Sequence, residues 1–435
     1  MIWGSVSGLI AYSGLIWWLF PVHLIGAVLL VICLGMQIFL WSILFFRADL
    51  RYWIFFNAAA WVVSEWIRSF WLGGLQWTLA NSQTFYPEFI QVFDILGPLG
   101  ISFFIVVVNG CIYAGLKRGI KARYVLLAVG LLVIMYGYGK WKIAAFDKVT
   151  DTKKRVCLVQ PNVSALDKQD PDKVGATLKK ILKLSEQCFV GAVPDLVVLP
   201  ETAVADDIRY RADLRREISS FLKIYPAHLL IGSALLENAQ NYNSAVLFGP
   251  DDRIIGKYDK QTLVPFVEYY PFGRFARNQL YNKNYEFVSG GFDLNLSMGK
   301  SRFGTLICSE DGYSRLIRKM EEQHPEFFVV LLSDAWTRVP QALMMHLQNA
   351  IVQAVSFRVP VLRCANSGWT GSIYPSGYLS QDSRYINQEG VFIESFYRRE
   401  HGRSLYSKYG DFFGVLCLFF VIIILFSTGK RSGKI

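Results

Sequence analysis

Charged residues are scarce in this sequence of 435 residues: Lys, Arg, Asp and Glu make up 18% of it, whereas 53% is hydrophobic and 15% aromatic. A typical soluble domain carries about 25% charged residues. Cysteine is also sparse, because seven cysteines in this length cannot build the dense framework of a small disulfide scaffold. The abundance of aromatic side chains excludes intrinsic disorder. The composition therefore indicates a folded protein with a large apolar part.

Several functional motifs are missing as well. The sequence has no phosphate-binding P-loop, no GxGxxG and no GxSxG pattern, so nothing favours nucleotide binding or a serine hydrolase. No second histidine lies at ligand spacing from His346, and we expect that residue on a helix surface or supporting a site rather than binding metal. Residues 151–409 carry a net charge of only +4 and no nucleic-acid-binding motif. We therefore expect no nucleic-acid partner and no metal or organic cofactor.

Long hydrophobic runs occupy the first 142 residues and the C-terminal end. No charged residue precedes Arg47, and this stretch is too long for one membrane crossing, which takes about 20 residues. We predict a membrane domain of five transmembrane helices in 1–142 and a sixth over 411–429, with approximate helix limits of 1–19, 23–46, 52–72, 97–116, 124–140 and 412–429. Glu65 and Arg68 in the third helix either line a lipid path or helix contact, or snorkel to the interface.

The positive-inside rule gives an orientation. With the N-terminus in the cytoplasm, the cytoplasmic segments hold nine basic residues against one acidic residue, Asp49. Five crossings then place residues 151–409 outside the cytoplasm, and the sixth returns the C-terminal tail. We read the net charge of +11 as this orientation signal.

Residues 151–409 have a different pattern, in which short apolar β-branched runs alternate with amphipathic segments. Such alternation is typical of an α/β domain. It predicts helices at 172–186 and 341–358, and strands at 155–160, 195–201, 228–235, 243–249, 303–310, 327–336 and 359–366.

Three of these strands end in chemically active residues. One strand leads into Glu201, a second into Cys308 and a third into the segment 333–336. Lys260 and Glu268 lie on a loop after a further strand. The carboxyl ends of such strands converge on one rim, where a thiol, a carboxylate and an ammonium could act as nucleophile, base and stabiliser of a tetrahedral intermediate. Each residue also has a plain structural interpretation: a buried thiol, a helix cap and a solvated lysine.

The order and context of these motifs resemble those of the nitrilase superfamily. The arrangement of membrane helices around them is similar to that of the apolipoprotein N-acyltransferases. The resemblance implies a nitrilase-like α-β-β-α sandwich inserted between N-terminal transmembrane helices and one C-terminal helix. It rests on 64–83, VQPN at 159–162, LPET at 199–202, YNSAV at 242–246, YDKQTLVPFVEYYPF at 258–272, LICSE at 306–310, LLSDAW at 331–336 and 346–368.

This resemblance also implies roles and partners. Cys308 would take an acyl chain from a phospholipid as a thioester, with Glu201 as general base and Lys260 supporting the oxyanion. The acyl chain would pass to the α-amino group of a diacylglyceryl-modified N-terminal cysteine on a lipoprotein. We expect a monomeric, multi-pass protein of the bacterial cytoplasmic (inner) membrane, with its catalytic domain on the periplasmic side. Supporting residues would be Glu268, Glu310, Trp336 and Asn243.

Two alternative functions stay open at this stage. A membrane-anchored amidase could hydrolyse a small amide through the same three residues, and a scaffold could use the α/β domain only for binding. We also expect no disulfide, because Cys157, Cys188 and Cys364 cannot all pair while Cys308 stays free.

Overall fold

The structure, a computed structural model, divides into two compact units. A helical unit comprises Met1–Lys148, Ile351–Arg358 and Gly402–Ile435, and an α/β unit comprises Val149–Ala350 and Val359–His401. The residues that the structure describes are 2–45, 52–71, 77–118, 122–146, 153–269, 286–291, 295–334, 339–380, 388–397 and 402–432.

Helices and strands follow the order predicted from the sequence. The helices are α1 Ile2–Leu15, α2 Leu24–Phe45, α3 Trp53–Trp71, α4 Pro87–Ile90, α5 Phe93–Arg118, α6 Ala122–Phe146, α7 Ala165–Gln169, α8 Val174–Ser185, α9 Ala212–Ile224, α10 Ser314–Glu321, α11 Pro340–Phe357, α12 Leu405–Tyr409 and α13 Phe412–Ser432. The strands are β1 Lys153–Gln160, β2 Leu196–Val198, β3 His228–Glu237, β4 Gln240–Phe248, β5 Ile254–Asp259, β6 Asn295–Met298, β7 Ser301–Ile307, β8 Phe327–Leu332, β9 Val361–Ala365, β10 Gly371–Ile373 and β11 Gly390–Tyr397.

A helix lies at each of the six positions predicted to cross the membrane. Among the described residues, three stretches are long and apolar enough to do so: Leu24–Ile43, Phe93–Lys117 and Ala122–Ala145. The total of six crossings stays a prediction. Helix α5 is kinked where Gly97 has a φ of +65°, and a Cβ there would lie 2.2 Å from the Tyr406 ring. Only glycine meets both conditions.

Glu65 and Arg68 are buried in helix contacts of the helical unit. Each is 2% exposed, which excludes snorkelling. Arg68 donates to Gln37 Oε1 at 2.7 Å and to the carbonyl of Trp77, while Glu65 Oε1 accepts from the backbone of Leu79 at 2.7 Å. The two charged residues therefore fasten α3 to α2 and to the segment that follows α3.

The α/β unit confirms the predicted sandwich fold. A six-stranded sheet has the order β11-β1-β2-β3-β4-β5, and a five-stranded sheet has the order β10-β9-β8-β7-β6. The sheets contact each other through β1 with β9, β4 with β7 and β5 with β6. Helices α8 and α9 bury apolar faces on the first sheet, and α10 packs against β7 in the second. The strands that deliver the candidate residues, β2, β5 and β7, thus belong to two packed sheets.

The expectation of no disulfide is wrong. Cys157 in β1 and Cys188, just after α8, form a bridge inside the core beneath the first sheet. The packing of α8 back onto β1 brings the two thiols together, so Cys308 and Cys364 can both remain free.

Removal of this bridge should destabilise the α/β unit. We expect the double variant Cys157→Ser/Cys188→Ser to lose about 3–4 kcal/mol, because a cross-link across 31 residues restricts the unfolded chain. Thermal unfolding with and without dithiothreitol measures the effect. The wild-type midpoint should fall on reduction and that of the variant should not respond. An unchanged wild-type midpoint, with mass spectrometry showing full reduction, would contradict the bridge's role.

Candidate active site

The ends of β2, β5 and β7 place three reactive groups in the α/β unit. Glu201 follows β2 after Leu199 and Pro200, and Lys260 comes directly after β5. Cys308 comes directly after β7 and starts the 3₁₀ helix Cys308–Gly312. Electrostatic interactions join the three groups to one another. The structure therefore brings together the residues that the strand pattern selected.

Backbone strain accompanies these residues. Cys308 has a φ of +54°, and Thr202, directly after Glu201, has a φ of +43°. Residues other than glycine seldom adopt this left-handed region, and such outliers cluster at functional sites. Space is tight as well: a Cβ at Gly232 in β3 would lie 2.8 Å from the Cα of Glu201. The close approach of β3 therefore leaves little room for the backbone of Glu201 to move.

Asn243 in β4 links the two carboxylates of the site. Its Nδ2 donates to Glu201 Oε1 at 2.8 Å and to Glu268 Oε1 at 3.1 Å. Burial raises the pKa of Glu201, the positive charge of Lys260 lowers it, and the negative charge of Glu268 raises it further; the net result is a raised pKa. Glu201 is therefore a stronger base than an ordinary surface carboxylate.

Lys260 is fully enclosed and held by Glu268. Its side chain is 1% exposed, and its Nζ donates to Glu268 Oε2 at 2.7 Å. The same carboxylate oxygen accepts from the backbone of Val264 at 2.8 Å. Burial disfavours the ammonium, but the negative charge of Glu268, the thiolate form of Cys308 and the negative charge of Glu201 outweigh burial and raise the pKa of Lys260. The charged form of Lys260 is therefore favoured, and Glu268 holds it at the site.

Glu310 connects the loop that follows Lys260 to β7, the strand that precedes Cys308. One oxygen accepts from the backbone of Gln261 at 2.7 Å and of Thr262 at 3.0 Å, and the other accepts from the backbone of Ile307 at 2.8 Å. The Tyr258 hydroxyl donates to both oxygens. Burial raises the pKa of Glu310 to about 7 although Lys260 opposes the shift. The geometry gives Glu310 a positioning role, since it touches the residues that flank Lys260 and Cys308.

The surroundings of Cys308 favour the protonated form of its thiol. Burial and the negative charge of Glu201 raise its pKa well above the ordinary value, although Lys260 lowers it. A thiol becomes an effective nucleophile only as the thiolate. Glu201 can accept the proton of the thiol, and the ammonium of Lys260 can stabilise the negative charge that forms. Together they allow the thiolate to form during the reaction. The arrangement can therefore perform acyl transfer through a covalent thioester.

Of two further groups at the site, Lys168 was not selected from the sequence and Asp334 was selected only as part of the segment 333–336. Lys168 in α7 donates from Nζ to the carbonyl of Glu201 at 2.7 Å. Asp334, after β8, interacts electrostatically with Cys308. The only sequence signals were their positions, since Lys168 follows a strand end at a distance of eight residues and Asp334 lies in the 333–336 segment.

His346 supports the site from α11, as the sequence indicated. Its Nδ1 lies 3.0 Å from Asp334 Oδ1, and its Nε2 lies 3.4 Å from Asp311 Oδ1. Burial disfavours the imidazolium, but the two aspartates raise the pKa of His346 to about 10. Arg363 pairs with Asp311 on the other side. These ion pairs connect the end of β8 to the 3₁₀ helix that begins at Cys308.

Trp336 lies outside the described residues, so its place at the site stays a prediction. Within the parts of the chain that the structure describes, no three His, Cys, Asp or Glu residues are grouped to hold a metal ion. The chemistry of the site can be written with protein side chains alone: a thiol, a carboxylate and an ammonium.

Comparison with known proteins extends over both units. The family model for carbon-nitrogen hydrolase matches residues 155–396, and the model for the apolipoprotein N-acyltransferase N-terminal domain matches residues 1–111. The chain is 29% identical to an apolipoprotein N-acyltransferase of Geobacter metallireducens, over 99% of this chain and 87% of that one. It is 27% identical to apolipoprotein N-acyltransferase 1 of Treponema denticola, over 98% and 86%. The resemblance predicted from the motifs is confirmed.

Proposed function

This chain belongs to the carbon-nitrogen hydrolase family, and from that premise we propose that it is an apolipoprotein N-acyltransferase. It moves a fatty acyl chain from a membrane phospholipid to the α-amino group of a diacylglyceryl-modified cysteine on lipoproteins. The observation that carries the proposal is a Glu201–Lys260–Cys308 site in a chain that is similar along nearly its full length to enzymes of that name.

In the first half of the reaction Glu201 takes the proton from the Cys308 thiol. The thiolate attacks the carbonyl carbon of the phospholipid ester, and Lys260 stabilises the negative charge on the tetrahedral oxygen. The C–O bond then breaks, the lysophospholipid alkoxide takes the proton from Glu201, and the acyl chain remains on Cys308 as a thioester. Glu268 holds Lys260 in place throughout, since their atoms lie 2.7 Å apart.

In the second half the α-amino group of the lipoprotein attacks the thioester. Glu201 accepts the proton that the amine loses, and this proton passes to the departing Cys308 thiolate. An amide forms, and the free thiol is regenerated. A thioester is activated enough for attack by an amine, so the same three residues serve both halves in a ping-pong sequence.

Two observations support an extracytoplasmic position for the α/β unit. The sequence predicts it from the basic residues on the opposite side of the membrane helices. The disulfide of Cys157 and Cys188 adds an independent argument, because disulfides persist in oxidising compartments such as the periplasm. Lipoproteins with a diacylglyceryl cysteine and the outer leaflet of the inner membrane would both be reachable there.

The function can be tested with purified protein in phospholipid vesicles. We expect an acyl-labelled phospholipid to transfer its label to the α-amine of a synthetic diacylglyceryl-cysteine peptide, and not to a peptide whose amine is acetylated. Mass spectrometry of the peptide measures the transfer. The amidase alternative requires a different result: release of a carboxylate from a small soluble amide, with no phospholipid present and no N-acyl peptide formed. That result would overturn the proposal.

A further inference from the structure

A second lysine stands beside the base and the nucleophile. Lys168 Nζ donates to the main-chain carbonyl of Glu201 at 2.7 Å and to Ser333 Oγ at 3.3 Å. The first partner is on the loop after β2, and the second follows β8. Both contacts hold the ammonium at the site, and its electrostatic interactions reach the Glu201 carboxylate and the Cys308 thiol.

The two lysines differ in how their charge is compensated. Lys260 forms an ion pair with Glu268. Lys168, in contrast, has no carboxylate within 4.0 Å among the residues that the structure describes. An ammonium has three donors, and the two hydrogen bonds above use only two. One donor therefore remains available to a ligand, and the positive charge has no direct ion-pair partner among the described residues.

The titration of Lys168 agrees with this geometry. Burial lowers its pKa to about 8, although the negative charge of Glu201 and the thiolate form of Cys308 act in the opposite direction. A bound anion would stabilise the ammonium form of Lys168, because a neighbouring negative charge favours the protonated state of a lysine. Lysine is well suited to such a ligand, since its compact ammonium binds phosphate as a point charge.

We propose that Lys168 binds the phosphate group of the acyl donor, an assignment that rests on the proposed function. In a phospholipid the phosphodiester and the reactive ester are carried on one glycerol unit. When the ester carbonyl lies at Cys308 Sγ, the phosphate lies within a few covalent bonds of it, in the region that the Lys168 charge reaches. Glu268 holds Lys260 in position to stabilise the oxyanion. Lys260 therefore binds the oxyanion, and Lys168 binds the phosphate.

This assignment predicts selectivity at the first half-reaction. A donor with a phosphate should use Lys168, whereas an activated ester without one should not. If Lys168 only braced the main chain of Glu201, its loss would slow both donors equally, because both need the same base. The comparison of two donors therefore separates substrate binding from positioning.

The test compares wild type, Lys168→Met and Lys168→Arg in acyl-enzyme formation on Cys308, with a phospholipid and with p-nitrophenyl palmitate. We expect Lys168→Met to lower kcat/KM for the phospholipid roughly 10- to 100-fold, mainly through KM. The loss for the nitrophenyl ester should be at least about tenfold smaller, because that donor has no phosphate for the ammonium to bind and depends only on the contact of Lys168 with the Glu201 carbonyl. Lys168→Arg keeps the charge and should restore most of the phospholipid activity.

The other possible outcomes test the phosphate assignment and the proposed function separately. Equal losses for both donors would overturn the phosphate assignment and leave the proposed function standing. A wild-type enzyme that accepts the nitrophenyl ester but never the phospholipid would overturn the proposed function itself. If Lys168→Met fails to fold, wild type alone answers: glycerophosphocholine, a soluble phosphodiester, should inhibit the nitrophenyl reaction competitively and free glycerol should not. Equal inhibition, or none, would overturn the assignment.

Discussion

Replacement of Cys308 by Ala should abolish acyl transfer to lipoproteins, with a fall of roughly 10⁴-fold or more. The thiol is the atom that forms and breaks the covalent bond in both half-reactions, and the neighbouring Glu201 and Lys260 cannot replace it. Incubation with phospholipid followed by mass spectrometry should show an acyl chain on the Cys308 peptide of wild type and none in the variant.

Cys364→Ala is the matched control. Cys364 is also a free thiol of the α/β unit, but it is buried in β9 with its Sγ against the carbonyls of Val159 and Val198. Its loss should leave the thioester on Cys308 and the transfer rate within about twofold of wild type, because a buried thiol acts as a small hydrophobe. Persistent N-acylation in Cys308→Ala, or an acyl chain on Cys364, would refute the assigned nucleophile.

The positions of Glu201 and Cys308 could be predicted because each follows an apolar, β-branched run, whereas Lys260 follows the more polar, partly exposed strand β5 and was placed by its loop motif. A run of this kind identifies a buried strand without knowledge of its neighbours, and the residue that follows it must lie at the rim of a sheet. The seven predicted strands are all present. The sequence pattern overlooked β6, β10 and β11, which are short or belong to sheet edges, where burial is incomplete and the apolar signal is weak.

Contacts between distant segments could not be predicted in the same way. The bridge of Cys157 and Cys188 depends on how α8 packs against β1, and pairing cannot be deduced from spacing alone. The dual donation of Asn243 depends on the register of β4 with β3 and on the loop that carries Glu268. Lys168 reaches the site from a five-residue helix with no hydrophobic pattern of its own. Long-range packing decides all three.

The electrostatic balance around Glu201 leads to a pair of opposite pH effects. Glu201 must be ionised to accept the Cys308 proton, so kcat/KM rises as the pH rises through the Glu201 pKa. Lys260 lowers that pKa and Glu268 raises it. Lys260→Met should therefore shift the acidic limb of the pH profile to higher pH, and Glu268→Gln should shift it to lower pH, because each variant removes one of two opposing charges.

The size of the two losses should differ as well. Lys260→Met removes the charge that stabilises the oxyanion and should lower kcat roughly 10²- to 10³-fold. Glu268→Gln keeps the ammonium and removes only its anchor at 2.7 Å, so its loss should be smaller. The pH dependence of thioester formation, together with the melting temperature of each variant, measures both effects. A general loss of stability would lower the rate of thioester formation in both variants without shifting the acidic limb in opposite directions. A shift of the acidic limb in the same direction in both variants would contradict the assignment of Glu201 as the base.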